Sequence, residues 1–289
     1  MANIKDLKIK IKSTKGTFKI TKAMKLVSAA KLNKAQVRIL GLRPYSVELE
    51  ETVRTVSALA ANYTNDYFTA KENPKSVVLV ISSDKGLCGG YNSSLAKTIR
   101  RFTEENSGED LKFFFIGKKV RELIQKEVNV GKAYTFAKAE PSYEEVRKVA
   151  DELGAMFING EVGKVYVAYN SFISAIAFDS KVRQLLPMQV SASDKETIKS
   201  KYPYDFKYEP GAEQILDTLV PEVYLTTVYT CVLDAIASEH GSRMNAMENA
   251  SKNSKEVIKK LSLKMNKMRQ ARITTELTEV VAGAESLNG

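Results

Sequence analysis

The stretch between residues 82 and 92 is the place where residue types and spacing come nearest to a ligand-binding loop. It reads Ser-Ser-Asp-Lys-Gly-Leu-Cys-Gly-Gly-Tyr-Asn and follows an apolar run of strand length. A glycine-rich turn between a strand and a helix can present backbone N–H groups to a phosphate. The glycines at 86, 89 and 90 match neither GxxxxGK followed by Ser or Thr nor GxGxxG. A tight strand-to-helix turn is therefore favoured over nucleotide binding.

The remaining candidates for chemistry are one histidine and two cysteines. His240 falls within a long helical stretch and has no cysteines or carboxylates at metal-ligand spacing, so a side chain in or beside a helix seam is favoured over a catalytic base. Cys88 and Cys231 are far apart in sequence and form no CxxC pair. We expect no metal, no cofactor, no regulatory disulfide and a reducing compartment.

The helix that contains His240 is the longest element predicted from the sequence. From residue 212 to 282 there is no proline after Pro221, and a continuous helix would be roughly 105 Å long. Apolar or small residues recur at three- and four-residue spacing: Met244, Met247, Ser251, Ser254, Ile258, Leu261, Met265 and Met268. Such a seam needs a partner helix along its length.

A second long helical pattern begins at the N-terminus and supplies that partner. Its apolar positions are Ile4, Leu7, Ile11, Phe18, Ile20, Met24, Val27, Leu32, Ala35 and Ile39. Gly41 and Pro44 predict a kink or break, because proline inside a helix costs about 3 kcal/mol. Helical spacing resumes from Leu49 to Leu59. Two antiparallel helices from opposite ends of the chain satisfy both patterns.

The region between the two helices alternates strands with helices, which favours a mostly parallel sheet. Residues 75–82 form an apolar run typical of a strand buried on both faces. Ser142 and Glu145 have capping-box spacing and predict a helix to about Asn159. Residues 173–178 and 181–186 are predicted to pair as a hairpin across Asp179-Ser180. The sequence gives no secretion signal, and the apolar region 223–237 is too short and too polar to span a bilayer.

The predicted fold class is α/β plus a long antiparallel coiled coil, with a Rossmann-like sheet domain. The predicted segments are a coiled-coil helix at 1–60, an α/β domain at 75–190, a connector at 191–210 and a coiled-coil helix at 211–289.

The charge of the chain is +10, and the excess lies at both ends. Residues 1–40 contain eleven Lys and Arg against one acid, and residues 243–272 contain nine against two. The N-terminal stripe consists of Lys5, Lys8, Lys12, Lys15, Lys19 and Lys22. It is interpreted as the solvated face of a coiled coil or as a guide for an acidic protein partner. Nucleic-acid binding is less favoured, because Phe18 is the only aromatic residue before Tyr45.

Three segments of the chain resemble the gamma subunit of the rotary F-type ATP synthase. They are residues 20–32, ITKAMKLVSAAKL; residues 81–92, ISSDKGLCGGYN; and residues 238–250, SEHGSRMNAMENA, followed by 266–280, NKMRQARITTELTEV. The resemblance runs the full length of the chain. Arg272 departs from it, because the family more often has a small residue there.

The resemblance implies a non-catalytic rotor shaft that couples rotation of a c-subunit ring to conformational changes at catalytic sites on beta subunits. The implied partners are three alpha and three beta subunits, an epsilon subunit and the c-ring, at the cytoplasmic face of a bacterial plasma membrane. The competing hypothesis is a basic coiled-coil scaffold or a nucleic-acid-binding protein.

The resemblance also assigns contacts to individual residues. Beta-subunit contacts are implied for Lys22, Met24, Lys25, Arg269, Gln270 and Thr274. A foot near the c-ring and epsilon subunit is implied for Tyr208 and Glu209. It implies no metal and no cofactor in this chain.

Overall fold

The computed structural model describes residues 3–60, 63–136, 140–189, 192–202 and 206–288. The elements in order are α1 (Ile4–Leu59), β1 (Lys75–Ile81), α2 (Tyr91–Glu105), β2 (Asp110–Ile116), α3 (Lys119–Ile124), β3 (Asn129–Tyr134), α4 (Tyr143–Ile158), β4 (Lys164–Ser174), β5 (Ala177–Leu186), α5 (Ala192–Lys201) and α6 (Ala212–Asn288). They divide into two compact units: Met1–Ser28 with Met244–Gly289, called the coil unit, and Ala29–Arg243, called the sheet unit.

The sheet unit contains five strands in the order β3-β2-β1-β4-β5. The first four are parallel, and β5 is antiparallel to β4. Side chains of β1 alternate between two cores, with Val77, Leu79 and Ile81 on one face and Val78 and Val80 on the other. Helices α4 and α6 cover the first face, while α2 and α3 cover the second. This double burial explains why β1 is apolar along its length.

The coil unit pairs the start of α1 with the end of α6. Thr21 Oγ1 lies 2.8 Å from Ser251 Oγ, and Lys25 forms an ion pair with Glu248. Residue numbers rise on α1 as they fall on α6, so the helices are antiparallel, as predicted. The seam on α6 is confirmed by the burial of Met247, Ser251 and Ser254.

The seam on α1 matches the predicted one at both ends, where Leu7, Ile11, Leu32, Ala35 and Ile39 are buried, and departs from it in the middle. Ile20 and Val27 are exposed, whereas Thr21 and Ser28 are buried. A regular alternation of three- and four-residue steps explains this difference. It runs through Leu7, Ile11, Thr14, Phe18, Thr21, Lys25, Ser28, Leu32, Ala35 and Ile39. Apolarity alone was misleading, because the middle of this seam uses hydroxyl side chains.

Of the kink or break predicted near Gly41 and Pro44, the break is wrong, since α1 continues through Pro44 to Leu59, and the kink stays a prediction. Beyond the proline, Leu49, Val53 and Val56 pack with Leu216, Val220 and Val223 of α6 in a third core cluster. This tertiary burial outweighs the local cost of the proline.

The hairpin was predicted at the wrong turn. Strands β4 and β5 meet at Ala175-Ile176, while Asp179 and Ser180 lie inside β5, opposite Ser171 and Asn170. Asp-Ser is a typical turn dipeptide and Ala-Ile is not, so composition favoured the wrong pair. The capping box at Ser142 and Glu145 is confirmed. Helix α5 occupies part of the predicted connector, and the four-segment division stays a prediction.

Among the described residues, one helix passes a length and composition test for crossing a membrane. It is Ala212–Ala284, with a mean hydropathy of 1.3 in its most apolar window. Of that window, 61% is buried within the structure, as in a core helix. The same test is passed by helices that pack against their own protein.

Candidate functional site

The glycine-rich stretch forms a tight turn at the carboxyl end of β1. Leu87 and Gly89 have φ values of 62° and 58°, in the left-handed region that glycine adopts most easily. Asn92, in the first turn of α2, donates from Nδ2 to Ser83 Oγ at 2.8 Å and so ties the two ends of the turn together. This arrangement supports the predicted structural role of the glycines.

Helix α6 fixes the same turn from the other side through Arg243. Its guanidinium donates to the Lys85 carbonyl oxygen at 2.9 Å and pairs with Glu239 on its own helix at 2.6 Å. Ser242 Oγ donates to the carbonyl oxygen of Cys88. These contacts lie within the sheet unit, so residues 239–243, at the start of the C-terminal signature segment, and the glycine turn form one hydrogen-bonded structure.

Beside this turn lies a cavity of about 140 Å³ at the carboxyl ends of β1, β2 and β3. Its apolar wall includes Ile81, Ile116, Val232 and Ile236. Its charged and polar side chains are Lys31, Asp84, Lys85, Glu239, His240 and Arg243. Gly117 stands at the end of β2, where a Cβ atom would lie 2.2 Å from the Ser82 carbonyl oxygen, so only glycine fits there.

Burial controls the ionisation of the two central groups in this cavity. Desolvation, with the nearby charges of Lys31 and Arg243, lowers the pKa of His240 to about 4. Desolvation also raises the pKa of Glu239, against the attraction of Arg243. The histidine is therefore neutral at physiological pH and acts as a dipolar group rather than a cation.

The beta-contact residues implied by the resemblance fall into two groups in the coil unit. Lys22 is exposed, Met24 is half-buried, and Lys25 is half-buried in its ion pair with Glu248. Arg269, Gln270 and Thr274 are exposed, and Thr274 Oγ1 donates to the Gln270 carbonyl oxygen at 3.1 Å. The pairing of Thr21 with Ser251 places Met24 opposite about residue 248. The two groups are therefore roughly 30 Å apart along the coil.

The foot residues implied by the resemblance lie in the sheet unit. Tyr208 is half-buried against the third core cluster, with its ring 6.3 Å from that of Phe206. Glu209 is exposed and pairs with Lys207 at 2.7 Å. The structure therefore leaves Glu209 at the surface and packs Tyr208 partly against the core.

Sequence reasoning missed the cavity. The usable signal was the charged and polar cluster at 239, 240 and 243, spaced to lie on one face of an otherwise apolar helix. Lys31 could not be connected with it from sequence, since it is more than 200 positions away. Among the described residues, the structure contains no group of three or more His, Cys, Asp or Glu that could hold a metal. Cys88 and Cys231 are both buried and unpaired.

These features define a class of protein that combines an α/β unit with an antiparallel two-helix coiled coil. The family model described as ATP synthase matches residues 3–287. The ATP synthase gamma chain of Geobacter sp. (strain M21) is 38% identical over 291 residues, covering 100% of both chains. That of Anaeromyxobacter dehalogenans (strain 2CP-1 / ATCC BAA-258) is 40% identical over 293 residues, covering 99% of this chain and 100% of its own. This chain belongs to the ATP synthase gamma-chain family.

Solved structures agree on the fold. A chain from the central stalk and c-ring of the Tetrahymena thermophila mitochondrial ATP synthase aligns with a TM-score of 0.59 and 25% identity, over 80% of this chain and 99% of its own. A chain from the Euglena gracilis mitochondrial ATP synthase, in an OSCP/F1/c-ring structure, aligns with a TM-score of 0.67 and 20% identity, over 98% of this chain and 94% of its own.

Proposed function

We propose that this chain is the central rotor shaft of a proton-translocating ATP synthase. The observation that carries the proposal is its full-length membership of the gamma-chain family, together with an antiparallel coiled coil of the predicted kind. The shaft couples rotation of a c-subunit ring to conformational changes at catalytic sites on beta subunits. Catalysis belongs to those subunits, and this chain supplies no catalytic group and holds no cofactor.

The exposed end of α6 supports a role inside a collar of other subunits. The last part of α6 extends beyond the start of its partner helix α1 and carries four apolar side chains at helical spacing. They are Ile273, Leu277, Val280 and Val281, which are 54%, 64%, 72% and 50% exposed. A contiguous apolar surface of this kind favours a protein partner. Three alpha and three beta subunits surrounding the shaft are the proposed cover.

The exposed polar residues of the coil unit provide contacts that can break and re-form. Arg269 and Gln270 are both exposed, so their donors are available to a beta subunit. Lys22, Met24, Lys25 and Thr274 complete the proposed beta contacts. Lys25 and Glu248 form an ion pair across the two helices. Lys25 lies between Ile20 and Val27 along α1, and both of these apolar side chains are exposed.

The foot of the shaft is proposed at Tyr208 and Glu209, which meet the c-ring and the epsilon subunit. Packing of Tyr208 against the core holds this segment in place, while the exposed Glu209 offers a carboxylate. The chain would then be peripheral, at the cytoplasmic face of a bacterial plasma membrane. Proton flow would turn the c-ring, and this chain would transmit that rotation to the beta subunits.

The test compares Arg269→Ala with Lys8→Ala on membranes, scoring ATP-driven proton pumping per assembled complex. A charge-assisted hydrogen bond contributes about 1.5–3 kcal/mol, so Arg269→Ala is expected to alter turnover or assembly. Lys8, one exposed charge in a solvated stripe, is expected to contribute under about 1 kcal/mol. If Lys8→Ala is as damaging, or Arg269→Ala has no effect, the residue assignment is wrong.

A separate measurement tests whether this chain lacks catalysis of its own. The pure chain is expected to hydrolyse no ATP, because its glycine turn matches neither GxxxxGK followed by Ser or Thr nor GxGxxG. The turn is instead held by hydrogen bonds from Asn92 and Arg243. Turnover that disappears when Gly89 is replaced would contradict this proposal.

A further inference from the structure

The cavity beside the glycine turn has the features of a ligand site that the shaft function does not require. It lies at the carboxyl ends of β1, β2 and β3, where open parallel sheets commonly bind ligands. At roughly 30 Å³ for each water, 140 Å³ holds about five waters or a body close to the size of benzene. The walls come from the sheet, α1 and α6, all within the sheet unit.

Lys31 and His240 bring to this cavity donors that form no hydrogen bond with the described residues. Lys31 lines the cavity from α1 and forms neither a hydrogen bond nor an ion pair with the part of the chain that the structure describes. His240 is 7% exposed, and its Nδ1 lies 3.5 Å from Arg243 Nη1. A guanidinium can only donate, so Nδ1 accepts, and we assign the imidazole proton to Nε2.

The Nε2 donor of His240 is not satisfied by its nearest carboxylate. Glu140 Oε1 lies 3.9 Å away, beyond hydrogen-bond distance. The other Glu140 oxygen is held by Arg38 at 3.2 Å. The Nε2–H therefore has no acceptor within hydrogen-bond distance among the described residues, and an acceptor that reaches it from the cavity gains a hydrogen bond.

The charges around the cavity fit a ligand with one negative charge. Lys31, Lys85 and Arg243 are cationic, and Asp84 and Glu239 are anionic, while His240 is neutral at physiological pH. Arg243 is paired with Glu239 at 2.6 Å, so among the described residues Lys31 and the exposed Lys85 remain as cations without an ion pair, against the single carboxylate of Asp84. The sum is one positive charge. A dianion such as phosphate would carry a second charge towards two carboxylates.

The opposite wall of the cavity is apolar, so the rest of the ligand is expected to be apolar as well. Ile81, Ile116, Val232 and Ile236 line it with aliphatic side chains. A purely polar ion would leave this surface without a partner, whereas a short hydrocarbon body would bury it.

We propose that this cavity binds a small monocarboxylate with an apolar body, whose carboxylate is held by the ammonium of Lys31 and the Nε2–H of His240. The ligand would contact α1, α6 and the sheet edge together. It would therefore tie the two long helices to the sheet at the level of the glycine turn.

The chain contains a single histidine, which makes binding directly observable. The imidazole resonance of His240 is followed by NMR in the full chain while hexanoate is added. We expect a saturable shift at millimolar concentrations, and affinity that rises about fourfold for each methylene from butanoate to hexanoate. Lys31→Gln should weaken binding by about tenfold or more, whereas the exposed Lys97→Gln on α2 should leave it unchanged.

Two further ligands test the chemical class. Hexanamide, which has the same body without the charge, is expected to bind at least about tenfold more weakly. Inorganic phosphate is expected to give no saturable shift. Equal binding of hexanamide, saturation by phosphate, no shift with hexanoate, or equal loss in both lysine variants would each overturn the proposal. All are measured on the chain itself, so they leave the shaft function undecided either way.

Discussion

The coil unit and the sheet unit bury side chains of different kinds. In the sheet unit, the two faces of β1 are covered by apolar cores, and residues such as Phe157 and Leu79 are fully buried. In the middle of the coil unit, the seam contains Thr21, Ser28, Ser251 and Ser254, while Ile20, Leu26 and Val27 face outwards. The apolar core of the sheet unit stabilises a single packed structure. The hydroxyl seam of the coil unit leaves apolar side chains on the outside, where partner proteins can contact them.

The largest expected effect is in the sheet unit. Phe157→Ala should lower the free energy of unfolding by about 3–5 kcal/mol, because it leaves a cavity in a core that is closed on all sides. Leu263→Ala, in the coil unit, is the matched control: its side chain is 62% exposed, and its effect should stay within about 0.5 kcal/mol. Amide hydrogen exchange of β1 measures the first variant, and exchange of α6 around residue 263 measures the second. Similar losses in the two variants would remove the contrast between the units.

The second effect is a pH dependence of stability that comes from His240 in the cavity wall. His240 has a pKa of about 4 in the folded chain and an ordinary value of 6.5. Between these values the unfolded chain binds the proton and the folded chain does not. Stability is therefore lost as pH falls from about 6.5 to about 4, by up to about 3 kcal/mol. His240→Gln should lack this component in urea unfolding at each pH, and the difference between the two proteins cancels other groups such as Glu239. Parallel pH profiles would contradict the assignment.

A smaller effect is expected in the hydroxyl seam. Thr21→Val should destabilise the coil by about 1 kcal/mol, because Ser251 Oγ loses the partner that lies 2.8 Å away. Adding Ser251→Ala removes the unpaired group and should recover part of that loss. Thermal unfolding followed by helical circular dichroism compares the single and double variants. A strictly additive double variant would show that the two hydroxyls do not interact.

Apolar runs and a capping motif predicted local structure correctly, whereas packing between distant segments and a seam built from hydroxyl side chains were missed. Burial of β1 and the cap at Ser142 followed from local patterns. The continuation of α1 through Pro44 did not, because its cause is packing of Leu49 and Val53 against α6. The exposed Ile20 and buried Thr21 reversed the usual preference, since a regular three-four step, rather than hydrophobicity, sets the seam.

The candidate cavity shows the same limit. Glu239, His240 and Arg243 could be placed on one helix face from their spacing, but their approach to Lys31 and to the ends of three strands arises from the fold. The implied contact residues rest on resemblance to the family. Five of them, Lys22, Arg269, Gln270, Thr274 and Glu209, are exposed in the structure.

Rotation of this chain within a collar of alpha and beta subunits can be observed directly. A probe is attached through Ser107→Cys, an exposed turn position in the sheet unit, with the alpha and beta subunits immobilised. Cys88 and Cys231 are buried and burial raises the pKa of both thiols, so labelling should be selective. With ATP supplied, we predict continuous rotation in one direction, with three dwells per turn for three beta subunits. ATP hydrolysis by an assembled complex whose probe does not rotate would show that this chain is not the rotor.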